Sequence, residues 1–295
     1  MPRPALQPPW HPERIPPVSV ISVAYNSAPI IGSMLQSVPA GVECIVVDNA
    51  SQDVETLRQT CRAHEARLIE NARNVGFGAA CNLGAASARG ELLLFLNPDA
   101  RLAPGALEQL MLAAERHPGA CAMNPRIAEP DGSPFFMRKS YLMPRARWMP
   151  RGWPSEDRAV TVLSGAAMLV RASAFRSVGG FDEQLFLYHE DDDLSIRLER
   201  QCGPLMFIRD AVVEHGGGAS SGDPAAISAF KAWHMGRSRV YGGRKHGRRF
   251  AATRAVTHAL LQMISPALLW SRRKRAKQVA YLAGCLSGIR LVNKT

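Results

Sequence analysis

Short apolar runs ending in polar clusters alternate, over the first hundred residues, with segments of helical periodicity. Residues 18–24, 42–48 and 92–96 are brief and rich in branched or aliphatic side chains, and turn-forming residues bound them. That is the pattern of strands buried on both faces. Between them, 29–38, 54–65 and 78–89 repeat apolar positions with helical spacing. The alternation predicts an α/β fold: a mostly parallel central sheet with flanking helices. Ligands of such sheets bind beyond the carboxyl ends of the strands. The residues that follow the three strands are Tyr25-Asn26-Ser27, Asp48-Asn49-Ala50-Ser51 and Asn97-Pro98-Asp99, all polar and all expected on one edge.

Further along, 104–117 reads as a helix and 120–124 as a strand. Residues 129–158, rich in Pro, Arg and aromatics, read as a long irregular excursion. Such loops usually serve as lids or binding loops, with Trp153 as the candidate acceptor contact; the alternative is a poorly ordered surface insertion. Strand-like patterns return at 161–170 and 205–214, with a helix at 191–200 between them. After residue 223 the chain turns helical and basic, with helices expected at 225–241, 249–270 and 274–291. The expected division is a proline-rich segment at 1–17, a catalytic α/β domain at 18–223 and a C-terminal helical extension at 224–295.

Charge sharpens this picture. The 295-residue chain is 46% apolar, enough to bury a sizeable core, and carries a net charge of +11. Residues 224–295 contain no Asp or Glu but fifteen Lys and Arg, so residues 1–223 are slightly acidic. A basic tail of this kind suits an anionic membrane surface, phosphate groups or nucleic acid. No nucleic-acid reader module accompanies it, and that class is set aside. The six cysteines form no CxxC pair, which argues against a zinc site or a disulfide framework and for a reducing compartment. Residues 1–17 lack the apolar core of a signal peptide. The apolar stretch 259–270 is too short to span a bilayer, and Pro266 interrupts it. The expected location is cytoplasmic, with the tail lying peripherally on the inner face of the plasma membrane. Alternatively the tail packs on the domain or forms a homodimer contact.

The densest chemistry is Glu190-Asp191-Asp192-Asp193, four adjacent carboxylates beside an apolar segment. One reading is an acidic helix start that complements the helix dipole; the other is proton transfer or cation binding. Upstream, the run 71–82 places two glycines and asparagines where a loop enters a helix. There small residues admit a ligand to the backbone, and the helix start favours anions. The run is neither a Walker sequence nor the dinucleotide GxGxxG.

Several segments in register resemble the family 2 glycosyltransferases of the GT-A fold, most of all the bacterial rhamnosyltransferase-like branch. They are Ser22-Val23-Ala24-Tyr25-Asn26, Val46-Val47-Asp48-Asn49-Ala50-Ser51, Asn74-Val75-Gly76-Phe77-Gly78-Ala79-Ala80-Cys81-Asn82, Leu96-Asn97-Pro98-Asp99-Ala100, Ser164-Gly165-Ala166, Gly179-Gly180-Phe181-Asp182-Glu183, Leu187-Tyr188-His189-Glu190-Asp191-Asp192-Asp193-Leu194 and His215. The resemblance implies an inverting transfer from a nucleoside-diphosphate sugar, with dTDP-L-rhamnose as the favoured donor, to a glycan or lipid-linked acceptor in cell-surface polysaccharide synthesis. A UDP-hexose-dependent transferase and a catalytically silent sugar-nucleotide-binding subunit are the alternatives.

The same resemblance makes Asp191 the catalytic base and Glu190 an acceptor contact. It leaves Asp192 and Asp193 to cap the helix or pair with Arg197 or Arg200. Tyr25, Asn26, Asp48, Asn49, Asn74, Gly76, Phe77, Gly78, Asn82, Asn97 and Asp99 become donor contacts. Asp99 and His215 become ligands of a divalent cation, Mg²⁺ or Mn²⁺, whose preference for carboxylate and phosphate oxygens fits a diphosphate donor. Asn97 stands where the family's DXD motif has its first aspartate, which puts the strictness of metal dependence in doubt. The glycines 216–218 imply a segment that closes over the donor, and Arg237 and Arg239 are possible diphosphate contacts on charge alone.

Overall fold

The computed structural model describes residues 17–216, 224–264 and 271–292. The proline-rich run 1–16, the glycines 217–218 and the end of the apolar stretch, 265–270, lie outside the described residues.

Ten strands form one sheet, in the order β3-β2-β1-β4-β9-β6-β10-β5, with β7 beside β6 and β8 beside β10. The expected strands are present as β1 (Val18–Ala24), β2 (Glu43–Asp48) and β4 (Leu92–Leu96). Their side chains alternate between two cores. Val20, Val46, Leu92 and Leu94 face one, while Ile21, Ile45, Val47 and Phe95 face the other. This two-sided burial explains their uninterrupted apolar runs. On the first face lie α1 (Ala28–Ser37), α2 (Val54–Ala63) and α4 (Ala106–Arg116). On the second lie α3 (Phe77–Ser87), α5 (Ala172–Ser177) and α6 (Glu190–Gln201). Gly84 lets α3 sit close to the sheet, since a Cβ there would lie 2.5 Å from Ile21 Cγ2.

The parallel arrangement holds for β1, β2, β4 and β3 (Arg67–Glu70). The other half of the sheet is mixed. Instead of one strand at 161–170, β8 (Arg158–Val160) is followed by a turn and then β9 (Ala167–Arg171), which runs antiparallel to both β4 and β6 (Ala122–Ala128). The long β10 (Leu205–His215) runs parallel to β6 and antiparallel to the three-residue β5 (Ala100–Leu102). With these directions, the ends of β1, β2, β4 and β10 and the start of β9 all reach one edge of the sheet.

The excursion is packed rather than loose. It contains the short β7 (Pro134–Phe135) and a 3-10 turn at Arg145–Arg147. Leu142 and Met143 are buried against Val162 and Ile196 of α6. The C-terminal extension folds as α7 (Pro224–Lys245), α8 (Ala251–Met263) and α9 (Arg272–Val292) around a small core that includes Ala255, Ala259, Tyr281 and Cys285. Gly284 and Gly288 permit the close crossing, because a Cβ at Gly284 would stand 2.0 Å from the Trp233 carbonyl oxygen.

Charge joins this extension to the body. Lys245 Nζ lies 2.7 Å from Asp193 Oδ1, His246 Nε2 lies 2.8 Å from the same oxygen, and Arg197 Nε donates to Asp193 Oδ2 at 2.7 Å. Tyr241 and Lys245 also hold Asp182. Burial alone would raise the Asp193 carboxyl, but these partners bring it down to about 2. The cluster therefore stabilises the fold above the ordinary carboxylate range, and that contribution is lost as pH falls toward 2. Asp193→Asn, which leaves the Arg197 guanidinium without its carboxylate and removes the acceptor shared by Lys245 and His246, is expected to lower unfolding free energy by about 3–5 kcal/mol in urea titrations at pH 7.

Candidate active site

At the sheet edge the first loops are held by side chains as much as by backbone. Asn26 adopts a left-handed conformation (φ 53°), its N–H donates to Ser51 Oγ at 2.9 Å, and its Oδ1 accepts from Gln52 N at 2.9 Å. Asp48, buried at the end of β2, accepts from Ser51 N at 3.1 Å. Tyr25 projects outward and is 52% exposed, a free aromatic face at the mouth of the loops. Asn49 donates to Asn74 Oδ1 and the Gly76 carbonyl, and it accepts from Asn71 Nδ2 and Val75 N. Its amide is fully engaged in bracing the 71–76 loop.

That loop ends at Gly76 (φ 92°), where a Cβ would lie 2.6 Å from the Phe186 carbonyl oxygen. Phe77 N donates to the same carbonyl at 3.0 Å. Gly78 lies equally close to Phe181, and Asn82 clasps Phe181, donating to its carbonyl and accepting from its N–H. The glycine-rich loop is thus docked on the segment that leads into α6, and Phe77 reaches the contact shell of Gly165 beside Asp191.

Beyond β4, Asn97, Asp99 and His215 converge. His215, paired opposite Ala100 across β10 and β5, places Nε2 3.5 Å from both Asp99 Oδ1 and Asn97 Nδ2. The Asp99 carboxylate raises the imidazole's pKa, with Glu129 contributing. His215 Nδ1 is buried with no hydrogen-bond partner among the described residues, which leaves Nε2 as the nitrogen that faces Asp99. A carboxylate, an imidazole and an amide at this spacing fit a divalent cation. Among the described residues no three His, Cys, Asp or Glu side chains form a ligand set. Mg²⁺ and Mn²⁺ commonly take one or two protein ligands and complete their shell with water and phosphate oxygens.

The first turn of α6 lies across a single turn of chain from this cluster. Asn97 N donates to the Ala166 carbonyl at 3.0 Å, and Gly165 N donates to Asp191 Oδ2 at 3.1 Å. Asn124 braces that turn through Ser164 and Ala167. Two successive left-handed residues, Tyr188 and His189 (φ 68° each), swing the chain into the helix. Burial, and then the neighbouring Asp192, push the Asp191 carboxyl up to about 6. Burial, and then Asp191, push Glu190 well above its usual range, and its Oε2 has no partner among the described residues. Asp192 is paired with His189 Nδ1 at 2.7 Å. Asp191 is therefore the half-buried carboxylate of the four that can take up a proton near neutral pH.

Residues 19–179 match the family described as Glycosyl transferase family 2. The chain belongs to that family. The glycosyltransferase is 33% identical over 250 residues to "N-acetylglucosaminyl-diphospho-decaprenol L-rhamnosyltransferase" of Mycobacterium tuberculosis (strain ATCC 25618 / H37Rv), covering 70% of this chain and 78% of that one. It is 25% identical over 197 residues to "Low-salt glycan biosynthesis hexosyltransferase Agl10" of Haloferax volcanii, covering 62% of each. Among solved structures, the mannosyltransferase PcManGT from Pyrobaculum calidifontis, in complex with GDP-Man and Mn²⁺, superposes with a TM-score of 0.58 at 18% identity, over 96% of this chain and 91% of that one. S. aureus TarS 1-349 in complex with UDP-GlcNAc gives 0.56 at 15% identity, over 93% and 92%. The fold of this glycosyltransferase is GT-A.

Not every residue read as a ligand contact faces the edge as a free group. Asn49 and Asn82 are braces, and Asn74 shares that work by accepting from Asn49 and Gly76 N. Trp153 donates its indole N–H to the Ile127 carbonyl at 3.0 Å under the Arg126 guanidinium, which ties the excursion to β6. Arg237 donates to the Gln184 carbonyl, and Arg239 lies 4.0 Å over the Tyr141 ring. Asp193 does pair with Arg197, yet it is fully buried and is the anchor of the C-terminal helices. The sequence reading singled out Ser164-Gly165-Ala166 but gave Gly165 no role, and it gave none to Phe186, Asn124 or His246. Gly165 and Phe186 act through the backbone, which side-chain chemistry does not reveal, and His246 pairs with a residue 53 positions away. Gly76→Ala combines a strained φ with an overlap against Phe186. It is expected to cost on the order of 2 kcal/mol or more in chemical denaturation and to reduce glycosyl transfer through displacement of the chain entering α6.

Proposed function

We propose that this glycosyltransferase moves L-rhamnose from dTDP-L-rhamnose, with inversion, to a hydroxyl of a lipid-linked glycan acceptor in cell-surface polysaccharide synthesis. The observation that carries the reading is the turn Gly165-Ala166. It bonds to Asp191 on one side and to Asn97 on the other, which supports reading Asp191 as a proton acceptor beside a cation-and-diphosphate site. The rhamnosyl choice and the lipid-linked acceptor are supported by the 33% identity to the mycobacterial enzyme.

In this mechanism Tyr25, Asn26 and Asp48 hold the nucleoside, while Phe77 and Asn97 border the sugar diphosphate. Asp99 and His215 would ligate Mg²⁺ or Mn²⁺, and the chemistry supplied by the bound ion is neutralisation of charge on the departing diphosphate. Asp191 Oδ1 or Oδ2 accepts the acceptor hydroxyl's proton as that oxygen bonds to the anomeric carbon and the bond to the diphosphate breaks on the opposite face. Glu190, buried and held toward its protonated form, is assigned the acceptor contact on the family resemblance. Among the described residues no helix is long and apolar enough to cross a membrane. Access to a lipid-linked acceptor is proposed through the basic C-terminal helices on an anionic membrane surface.

Asp191→Asn is expected to lower kcat at least a hundredfold while leaving donor affinity within about twofold by calorimetry. Since the base works deprotonated, wild-type kcat/KM should fall tenfold per pH unit below about 6 and level off above it. A flat acid limb, or full turnover in the variant, would remove Asp191 from this role. Thermal shift against dTDP-, UDP- and GDP-sugars with Mn²⁺ tests the donor. dTDP-L-rhamnose is expected to stabilise the wild type most, and Asp99→Ala is expected to lose that stabilisation. A larger shift with a UDP-hexose replaces rhamnose as the donor.

A further inference from the structure

A second basic site stands on the far end of α6 from Asp191. A cleft of about 370 Å³ is lined by Arg147, Arg200, Arg248, Arg249, Arg254 and His246, over a floor that includes Leu142 and Ile196. Among the described residues, Arg147 alone of the five arginines has a carboxylate partner, Glu199. Arg248 and Arg249 lie against the rings of Tyr141 and Phe250. His246 has a side chain 3% exposed, and its Nδ1 has no hydrogen-bond partner among the described residues. This much unneutralised guanidinium over an apolar floor calls for an anion, and guanidinium forks match phosphate oxygens.

The cleft opens beside an unpartnered apolar face. Along α8, Ala251, Ala255 and Ala259 turn inward and are buried, while Phe250, Leu260, Leu261 and Ile264 turn outward. Leu261 is 63% exposed and Ile264 76%, in a helix that carries no acid. Arg254 falls four residues after Phe250 and seven before Leu261, on the same outward side. A helix with large apolar side chains and an arginine together on its exposed side, entered through Arg248 and Arg249, is built to lie in the headgroup region of a bilayer.

We propose that the arginine cleft is a binding site for the phosphate headgroup of an anionic membrane phospholipid, seated there as the outer face of α8 enters the interface. The inference deepens the membrane-surface reading above and rests on it. It adds a defined site in place of diffuse attraction. Because His246 both lines the cleft and holds Asp193, the lipid site adjoins the anchor of the catalytic helix.

The test is co-sedimentation of the full chain with vesicles of phosphatidylglycerol in phosphatidylcholine, and of phosphatidylcholine alone. The wild type is expected to bind the anionic vesicles. Arg200→Ala/Arg254→Ala should bind them roughly 25-fold less, about fivefold per arginine. The charge-matched Lys274→Ala/Lys277→Ala should lose less than about fivefold in all. Thermal melting identifies a variant that fails to fold; should the double variant melt early, Arg254→Gln alone is compared, with a fivefold loss expected. Equal losses in the two double variants would reduce the effect to diffuse charge and overturn the cleft. Wild type that binds while the arginine variant binds as well overturns the cleft but leaves the membrane reading. Wild type left in the supernatant overturns both. Stabilisation by inorganic diphosphate that the arginine variant loses, with vesicle binding unchanged, would assign the cleft to a soluble anion and overturn the lipid.

Discussion

Four carboxylates on one helical turn cannot all be ionised and buried without compensation. The structure of this glycosyltransferase is organised around that constraint. Asp193, fully buried, is neutralised by Arg197 from its own helix and by Lys245 from the C-terminal extension, with His246 in hydrogen-bond contact. Asp192 is covered by His189. Glu190 has neither kind of partner among the described residues, and burial moves it toward the protonated form. Asp191 keeps partial access to solvent and accepts two backbone N–H groups, from Gly165 and Asp192. Sequence neighbours thus acquire different protonation behaviour because each faces a different part of the fold.

This division makes the C-terminal helices part of the support of the acidic helix start. Residues 237–246 donate hydrogen bonds or ion pairs to Gln184, Leu187, Asp182 and Asp193, which flank or belong to the acidic motif. The basic tail is in this respect two things. Its first part is neutralised by the acidic body and fixes the chain entering α6. Its later part includes Arg248, Arg249 and Arg254, which have no carboxylate partner among the described residues, and the outward side of α8. Net charge alone merges the two and overstates how much of the tail is available to a partner.

The buried strands and the helices between them were legible in the sequence because two-sided burial leaves uninterrupted apolar runs, as in Leu92–Leu96. The reversed direction of β9 was not, since a run such as Ala167–Arg171 has the same composition whichever way it pairs. Short edge strands such as β5 carry too few residues for a period to show. At the site, Asp99 and His215, which the family resemblance offers as metal ligands, lie 3.5 Å apart. Asn49 and Asn82 are different. An asparagine that braces a loop and one that meets a ligand offer the same donors and acceptors, and only the count of partners already present tells them apart. For Asn49 those partners use both amide protons and the carbonyl oxygen.

That count has a consequence for how the site works. A third asparagine, Asn124, braces one small turn, Ser164-Gly165-Ala166, which meets Asn97 and Asp191 on its two sides. One element therefore sets both the strand end that carries Asp99 and the helix start that carries Asp191. Gly165 donates its N–H to Asp191 Oδ2 at 3.1 Å, so the turn meets the carboxylate directly through its backbone. The inverting transfer proposed above needs the attacking oxygen and the leaving diphosphate at opposite faces of one carbon, where a misplacement of about 1 Å is costly. A rigid turn shared by both half-sites meets that demand better than two independent loops. It also explains why the antiparallel β9, the departure from the simple parallel sheet, lies at the centre of the molecule and not at its rim.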